Sequence, residues 1–120
     1  MSKKTLVIGA SLKEERYSNK AIVKLVENNI EVVAVGLRSG VVAGVNIDTE
    51  KLDFKNIHTV TLYLSANRQD EFYNYIISLQ PERVIFNPGT ENEEFYKLLE
   101  AKNIKVEVAC TLVLLATKQY

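Results

Sequence analysis

Cysteine and histidine each occur once in the 120 residues, as Cys110 and His58. A single cysteine closes no internal disulfide, which points to a reducing compartment and a cytoplasmic protein. One histidine and one cysteine, far apart in sequence, are a poor basis for a metal site. A nucleophile–histidine triad would have to use His58. That residue stands just before an apolar strand, where a structural or solvated histidine is the simpler reading. An excess of either charge is also missing, since Lys and Arg total 15 and Asp and Glu total 15. General nucleic-acid binders and membrane-surface binders need a basic excess, so neither class fits, although one local basic site stays open. No apolar run approaches the roughly 18 residues that span a bilayer. The N-terminal Met-Ser-Lys-Lys runs straight into a strand, so no signal peptide is read there. No repeat, linker or low-complexity tract interrupts the chain, and the expectation is one domain over residues 1–120.

What is present is an alternation of strands and helices. Strand-like runs fall at Thr5–Gly9, Glu31–Val35, Thr59–Leu64, Arg83–Phe86 and Lys105–Ala109. Helical periodicity marks Ser18–Asn28, Arg68–Leu79 and Asn92–Lys102, and the apolar tail Thr111–Thr117 suits a short last helix. The first, second and fourth strands are continuous apolar runs, as in strands covered on both faces. The third and fifth alternate, with Val60, Leu62 and Leu64 interleaved with Thr59, Thr61 and Tyr63. Alternation suits strands with one wetter face, at the edges of a sheet. These patterns predict a Rossmann-like three-layer α/β/α fold with a five-stranded parallel sheet in the order 3-2-1-4-5, its crevice between strands 1 and 4.

The glycines mark the carboxyl edge of that sheet, where open α/β folds bind ligands. Gly9 ends the first strand, Gly36 the second, and Gly89 follows the fourth; Gly40 and Gly44 read as plain loop turns. Gly9-Ala10-Ser11 feeds Arg16, Ser18 and Asn19 at the start of the first helix. Glycine lets backbone approach an anion, and a guanidinium, a hydroxyl, an amide and free helix N–H groups can surround a pyrophosphate. Ser18 also suits a helix N-cap. Arg38 stands where an NAD-binding unit usually carries an acid for the ribose hydroxyls. A base there favours a nucleotide with an extra ribose phosphate, either NADP or coenzyme A. Asn87-Pro88-Gly89 forms a turn on the opposite side of the expected crevice. Cys110, after the last strand, reads as a small buried hydrophobe, with a thiol-active role as the alternative.

This series resembles the small stand-alone CoA-binding proteins, which are similar to the CoA-binding domain of succinyl-CoA ligases. The resemblance rests on Val7-Ile-Gly9-Ala10-Ser11, Arg16-Tyr-Ser18-Asn19, Glu31-Val-Val-Ala-Val, the Gly40–Gly44 loop, Asn87-Pro88-Gly89 with Asn92-Glu93-Glu94, and Val106–Cys110. It implies a Rossmann-like fold that binds coenzyme A or an acyl-CoA. It places Gly9, Ala10, Ser11, Arg16 and Ser18 at the phosphates and Arg38 near the adenosine end. The family often carries proline after strand 2, where this chain has Leu37. It often carries arginine at the end of strand 3, where this chain reads Tyr63-Leu64-Ser65. The resemblance implies binding and supplies no reaction. The expectation is therefore a non-catalytic carrier, sensor or accessory subunit without metal, whose partner is a small nucleotide ligand, as a homodimer or beside another enzyme subunit. The rival reading is an NADP-binding or thiol-active oxidoreductase using Cys110.

Overall fold

The computed structural model describes residues 3–120, so the first two residues of Met-Ser-Lys-Lys lie outside the described residues. Seven strands form one sheet. They are β1 (Thr5–Ala10), β2 (Val32–Gly36), β3 (Gly40–Val42), β4 (Val45–Asp48), β5 (Thr59–Leu62), β6 (Arg83–Phe86) and β7 (Lys105–Val108). The helices are α1 (Tyr17–Glu27), α2 (Tyr73–Leu79), α3 (Glu93–Ala101) and α4 (Thr111–Ala116), with two 3-10 turns at Ala66–Arg68 and Asp70–Phe72. No described helix is long and apolar enough to cross a membrane.

The helices start and stop on local chemistry. Asn92 caps α3 by accepting the Phe95 N–H at 3.2 Å, and Glu93 and Glu94 in the first turn favour the helix dipole. Asn29 and Asn103, just past α1 and α3, each take φ of 60°, a left-handed stop that asparagine tolerates. Around α1, Ile22 and Leu25 pack with Val7, Ala34 and Ile47 on one face of the sheet, joined by Leu115 of α4. On the other face Ile76 of α2 and Phe95 and Leu99 of α3 pack with Leu6, Ile8, Val60, Leu62, Val84 and Phe86. The Phe86 ring meets Phe95 and Tyr96 edge-on, at 5.7 and 4.7 Å between centroids. Each such pair adds about 0.5–1.5 kcal/mol beyond its area.

The three-layer arrangement is as expected, but the sheet is not. Its order is β3-β4-β2-β1-β5-β6-β7, with β3 antiparallel to β4 and every other pair parallel. Two differences from the expected five strands in the order 3-2-1-4-5 have physical causes. First, the segment after β2 is a hairpin, with Ala43 and Gly44 both at positive φ (50° and 81°), the conformation of a type I′ turn. Second, the expected edge strand Thr59–Leu64 is β5, ends at Leu62 and lies between β1 and β6, buried throughout. Its threonines face the protein, not water. Thr59 Oγ1 accepts from Arg83 Nε at 2.8 Å, and Thr61 Oγ1 meets Thr111 Oγ1 at 2.8 Å and Asn87 Nδ2 at 2.7 Å. Alternation here reports buried hydroxyls with partners. The chain reverses its winding between β1 and β5, so the crevice opens there rather than beside β6.

Candidate functional site

Three loops wall the crevice at the carboxyl ends of β1, β2 and β5, with the loop after β6 beside them. The first follows Gly9, which stands at φ 90° where the β1–β2 register shifts between Ile8 and Ala10. A Cβ on Gly9 would lie 3.0 Å from the Tyr63 carbonyl, so glycine is required on both conformational and steric grounds. A Cβ on Gly36 would lie 2.3 Å from the Ala10 oxygen, so the neighbouring strand end is equally tight. Beyond the bulge, Ser11 Oγ accepts the Lys13 N–H at 3.1 Å and Asn19 Nδ2 donates to the Ser11 carbonyl at 3.0 Å. These bonds hold the loop against α1. Helix α1 begins after Arg16 and no side chain caps it. Its first N–H groups therefore remain available to an anion.

The cavity so formed has a volume of about 720 Å³. Gly9, Ala10, Ser11, Arg16, Ser18, Arg38, Pro88 and Gly89 line it. Asn19 and Asn87 do not line it. Asn19 braces the Ser11 loop from behind. Asn87 is buried and donates to Thr61 Oγ1 and the Leu62 carbonyl, at 2.7 and 2.8 Å, while its Oδ1 accepts the Thr111 N–H at 2.9 Å. Both asparagine side chains hydrogen-bond within the protein. Arg68, from the first 3-10 turn, was not foreseen and also lines the cavity, as does Lys13. Tyr63-Leu64-Ser65 carries no arginine, and Arg68 stands three residues after it.

The charge pattern of this cavity is unlike that of the whole chain. Lys13, Arg16, Arg38 and Arg68 line it, and no Asp or Glu does. None of the four cations forms an ion pair among the described residues, whereas Lys4, Lys24, Lys55, Arg83 and Lys105 all do. Other lysines without an ion pair, such as Lys51, Lys97 and Lys102, stand elsewhere on the surface, but here four cations share one lining with no acid, an electrostatic focus for an anion. Tyr17 and Leu37 add exposed apolar surface at its mouth. Tyr63 also lines it, and its hydroxyl is turned inward, buried with no hydrogen-bond partner among the described residues. Burial pushes that phenol up to about 12, and the hydroxyls of Thr61 and Thr111 beside it only partly offset this.

Other candidates stand apart from the crevice. A groove of about 900 Å³ between α1, the β3–β4 hairpin and α4 is larger, but Lys20 and Lys24 share its lining with Glu14 and Glu27, and Lys24 pairs with Glu27 at 3.1 Å. Cys110, expected in a packed interior, is half-buried before α4 and does not line the crevice. A strand that ends at the edge of the sheet leaves the residue after it partly uncovered. His58 lies at the opposite end of the sheet, its Nε2 at 2.9 Å from Glu82. No cluster of three or more metal-ligating side chains occurs among the described residues.

The model of the CoA binding domain matches residues 3–116, nearly the whole chain. This chain belongs to the CoA binding domain family. Nothing among curated proteins matches it. Among solved structures, an uncharacterized protein is 42% identical, with a TM-score of 0.96 over 100% of this chain and 99% of that one. A Thermus thermophilus protein (21% identical, TM-score 0.86) matches over 99% of this chain and 91% of that one. A hypothetical protein from Pyrococcus horikoshii OT3 (24% identical, TM-score 0.86) matches over 98% and 84%. The last two share the fold. The family membership supports binding of coenzyme A in general, and the crevice of this chain suits that ligand chemically. Coenzyme A carries three phosphoryl groups, and the unpaired cations, the free helix end and the glycine bulge face one cavity.

Proposed function

We propose that this protein binds coenzyme A or an acyl-CoA in the crevice between β1 and β5, as a non-catalytic carrier, sensor or accessory subunit. The observation that carries the proposal is the acid-free lining of the crevice with its four unpaired cations. In this reading the backbone of Gly9–Ser11 and the first turn of α1 take the pyrophosphate, with Arg16 and Ser18 beside them. Arg38, at the end of β2, takes the phosphate on the ribose. Tyr17 and Leu37 offer apolar faces to the adenine. Asn19 and Asn87 act from behind, by holding the loops. Charge-assisted hydrogen bonds from guanidinium to phosphate are the strong ones, and a bidentate fork adds orientation.

Titration calorimetry with coenzyme A, its 3′-dephospho form, NADP and NAD tests the proposal. Coenzyme A is expected to bind most tightly, and loss of the 3′-phosphate to weaken binding about tenfold or more, the scale of one charge-assisted contact. Tightest binding of NAD, or no binding of coenzyme A, overturns it. Tightest binding of NADP would transfer the site to the oxidoreductase reading.

A further inference from the structure

We infer that Gln69, which lies outside the crevice, is the positioning residue that holds Arg68 on it; this rests on the proposal that the crevice binds coenzyme A. Gln69 is completely buried between the two 3-10 turns. Its Nε2 donates to the Leu64 carbonyl at 2.8 Å and to the Thr90 carbonyl at 2.8 Å. Its Oε1 accepts from Asn92 Nδ2 at 3.0 Å. Asn92 in turn donates to the Tyr73 hydroxyl at 2.7 Å and caps α3 through Phe95. One side chain thus joins the loop after β5, the loop after β6 and the start of α3. Leu64 and Thr90 both line the crevice, so this amide spans two of its walls.

Arg68 immediately precedes Gln69, and its own N–H bonds the Ser65 carbonyl at 2.9 Å. No ion pair among the described residues steers its guanidinium, so the backbone must place it. Short 3-10 turns are poorly hydrogen-bonded and do not hold a backbone rigidly alone. The buried amide supplies what the turn lacks: it fixes the residue next to Arg68 from inside while Arg68 points out. A buried amide with every polar atom satisfied specifies one arrangement, because any shift orphans a donor or a carbonyl.

The test is a double-mutant cycle read by coenzyme A affinity, with thermal melting to verify folding. Arg68→Ala is expected to weaken binding about tenfold, and Gln69→Leu by a similar factor in the native background. If Gln69 acts through Arg68, Gln69→Leu changes affinity by less than about twofold once Arg68 is alanine. Asn92→Asp serves if Gln69→Leu does not fold. It keeps the α3 cap but cannot donate to Oε1, and a loss of about threefold that also vanishes in the Arg68→Ala background is expected. Equal losses with and without Arg68, or folded variants that bind normally, overturn the inference. Failure of the native protein to bind coenzyme A would instead overturn the reading of the crevice itself.

Discussion

Arg83 and Arg16 are the same side chain at opposite ends of one sheet, and the protein treats them oppositely. Arg83 begins β6, at the amino ends of the strands, and is 7% exposed. Its guanidinium donates to Thr59 Oγ1 at 2.8 Å, Glu107 at 3.2 Å and the Tyr120 main-chain oxygen at 3.1 Å, and stacks 4.4 Å from the Tyr120 ring centroid. Arg16 is exposed at the carboxyl end, ahead of an uncapped helix, with no ion pair among the described residues. A buried charge persists only when its partners replace water. An exposed charge left unpaired beside free backbone donors contributes little to folding and is available to a ligand. The difference separates a cation that is held by the fold from one that is left free at the crevice.

The largest test of that contrast is Arg83→Met. It leaves Glu107 only the exposed Lys105 at 3.9 Å and Thr59 Oγ1 only His58 Nδ1 at 2.7 Å, and unfolding titrations are expected to show a loss of about 3 kcal/mol. Coenzyme A affinity of the folded protein should be unchanged. The mirror experiment is Arg16→Ala, expected to weaken coenzyme A binding about ten- to a hundredfold, with stability within about 0.5 kcal/mol of native. If Arg16→Ala instead lowers the melting temperature strongly, the division between the two ends fails. Tyr63→Phe probes a residue that lines the crevice with its hydroxyl buried in the protein. Removing an unpartnered buried hydroxyl is expected to raise stability by up to about 1 kcal/mol, read by denaturant midpoint. A loss would place an unseen partner on that oxygen.

The smallest effect is at His58. Burial lowers its pKa, Glu82 raises it, and Arg83 and Lys3 lower it further, so the net direction is down from 6.5. The unfolded chain therefore binds the proton more readily, and stability rises with pH through this window. The contribution is complete above 6.5 and is lost as pH falls through the lower folded value. His58→Asn should flatten the dependence of the urea midpoint on pH between 7.5 and 5. An unchanged dependence would assign it to the carboxylates.

Much of this was legible in the sequence, because apolar runs and helical stripes are dictated by burial. Arg83–Phe86 was read to the residue, and the short apolar tail is α4. The strand order was misread because Thr59 and Thr61 look solvent-facing until their partners, Arg83, Asn87 and Thr111, are known; all three are distant in sequence. The hairpin escaped because strands of three and four residues joined by Ala43-Gly44 carry no Asn-Gly signal. Gly9, Ser11 and Arg16 were visible through local turn chemistry. Arg68 was hidden at the start of the expected helix Arg68–Leu79, which is α-helical only over Tyr73–Leu79 and begins in 3-10 turns, and Gln69 carried no signal in a polar stretch. Its partners emerge only when the loops after β5 and β6 meet.

The pairing of β1 with β5 also has a kinetic consequence. The hairpin closes across two residues, a microsecond event for such local pairs. Thr5 must find Thr59 across a helix, one strand and a hairpin, so loop-closure entropy opposes this step far more. The floor of the crevice is thus the most non-local strand pairing among the described residues. A ligand bridging it reinforces contacts formed late, which lowers the unfolding rate while leaving the folding rate nearly untouched. For a bound nucleotide, protection of this protein is a matter of residence in the native state, not of help in reaching it.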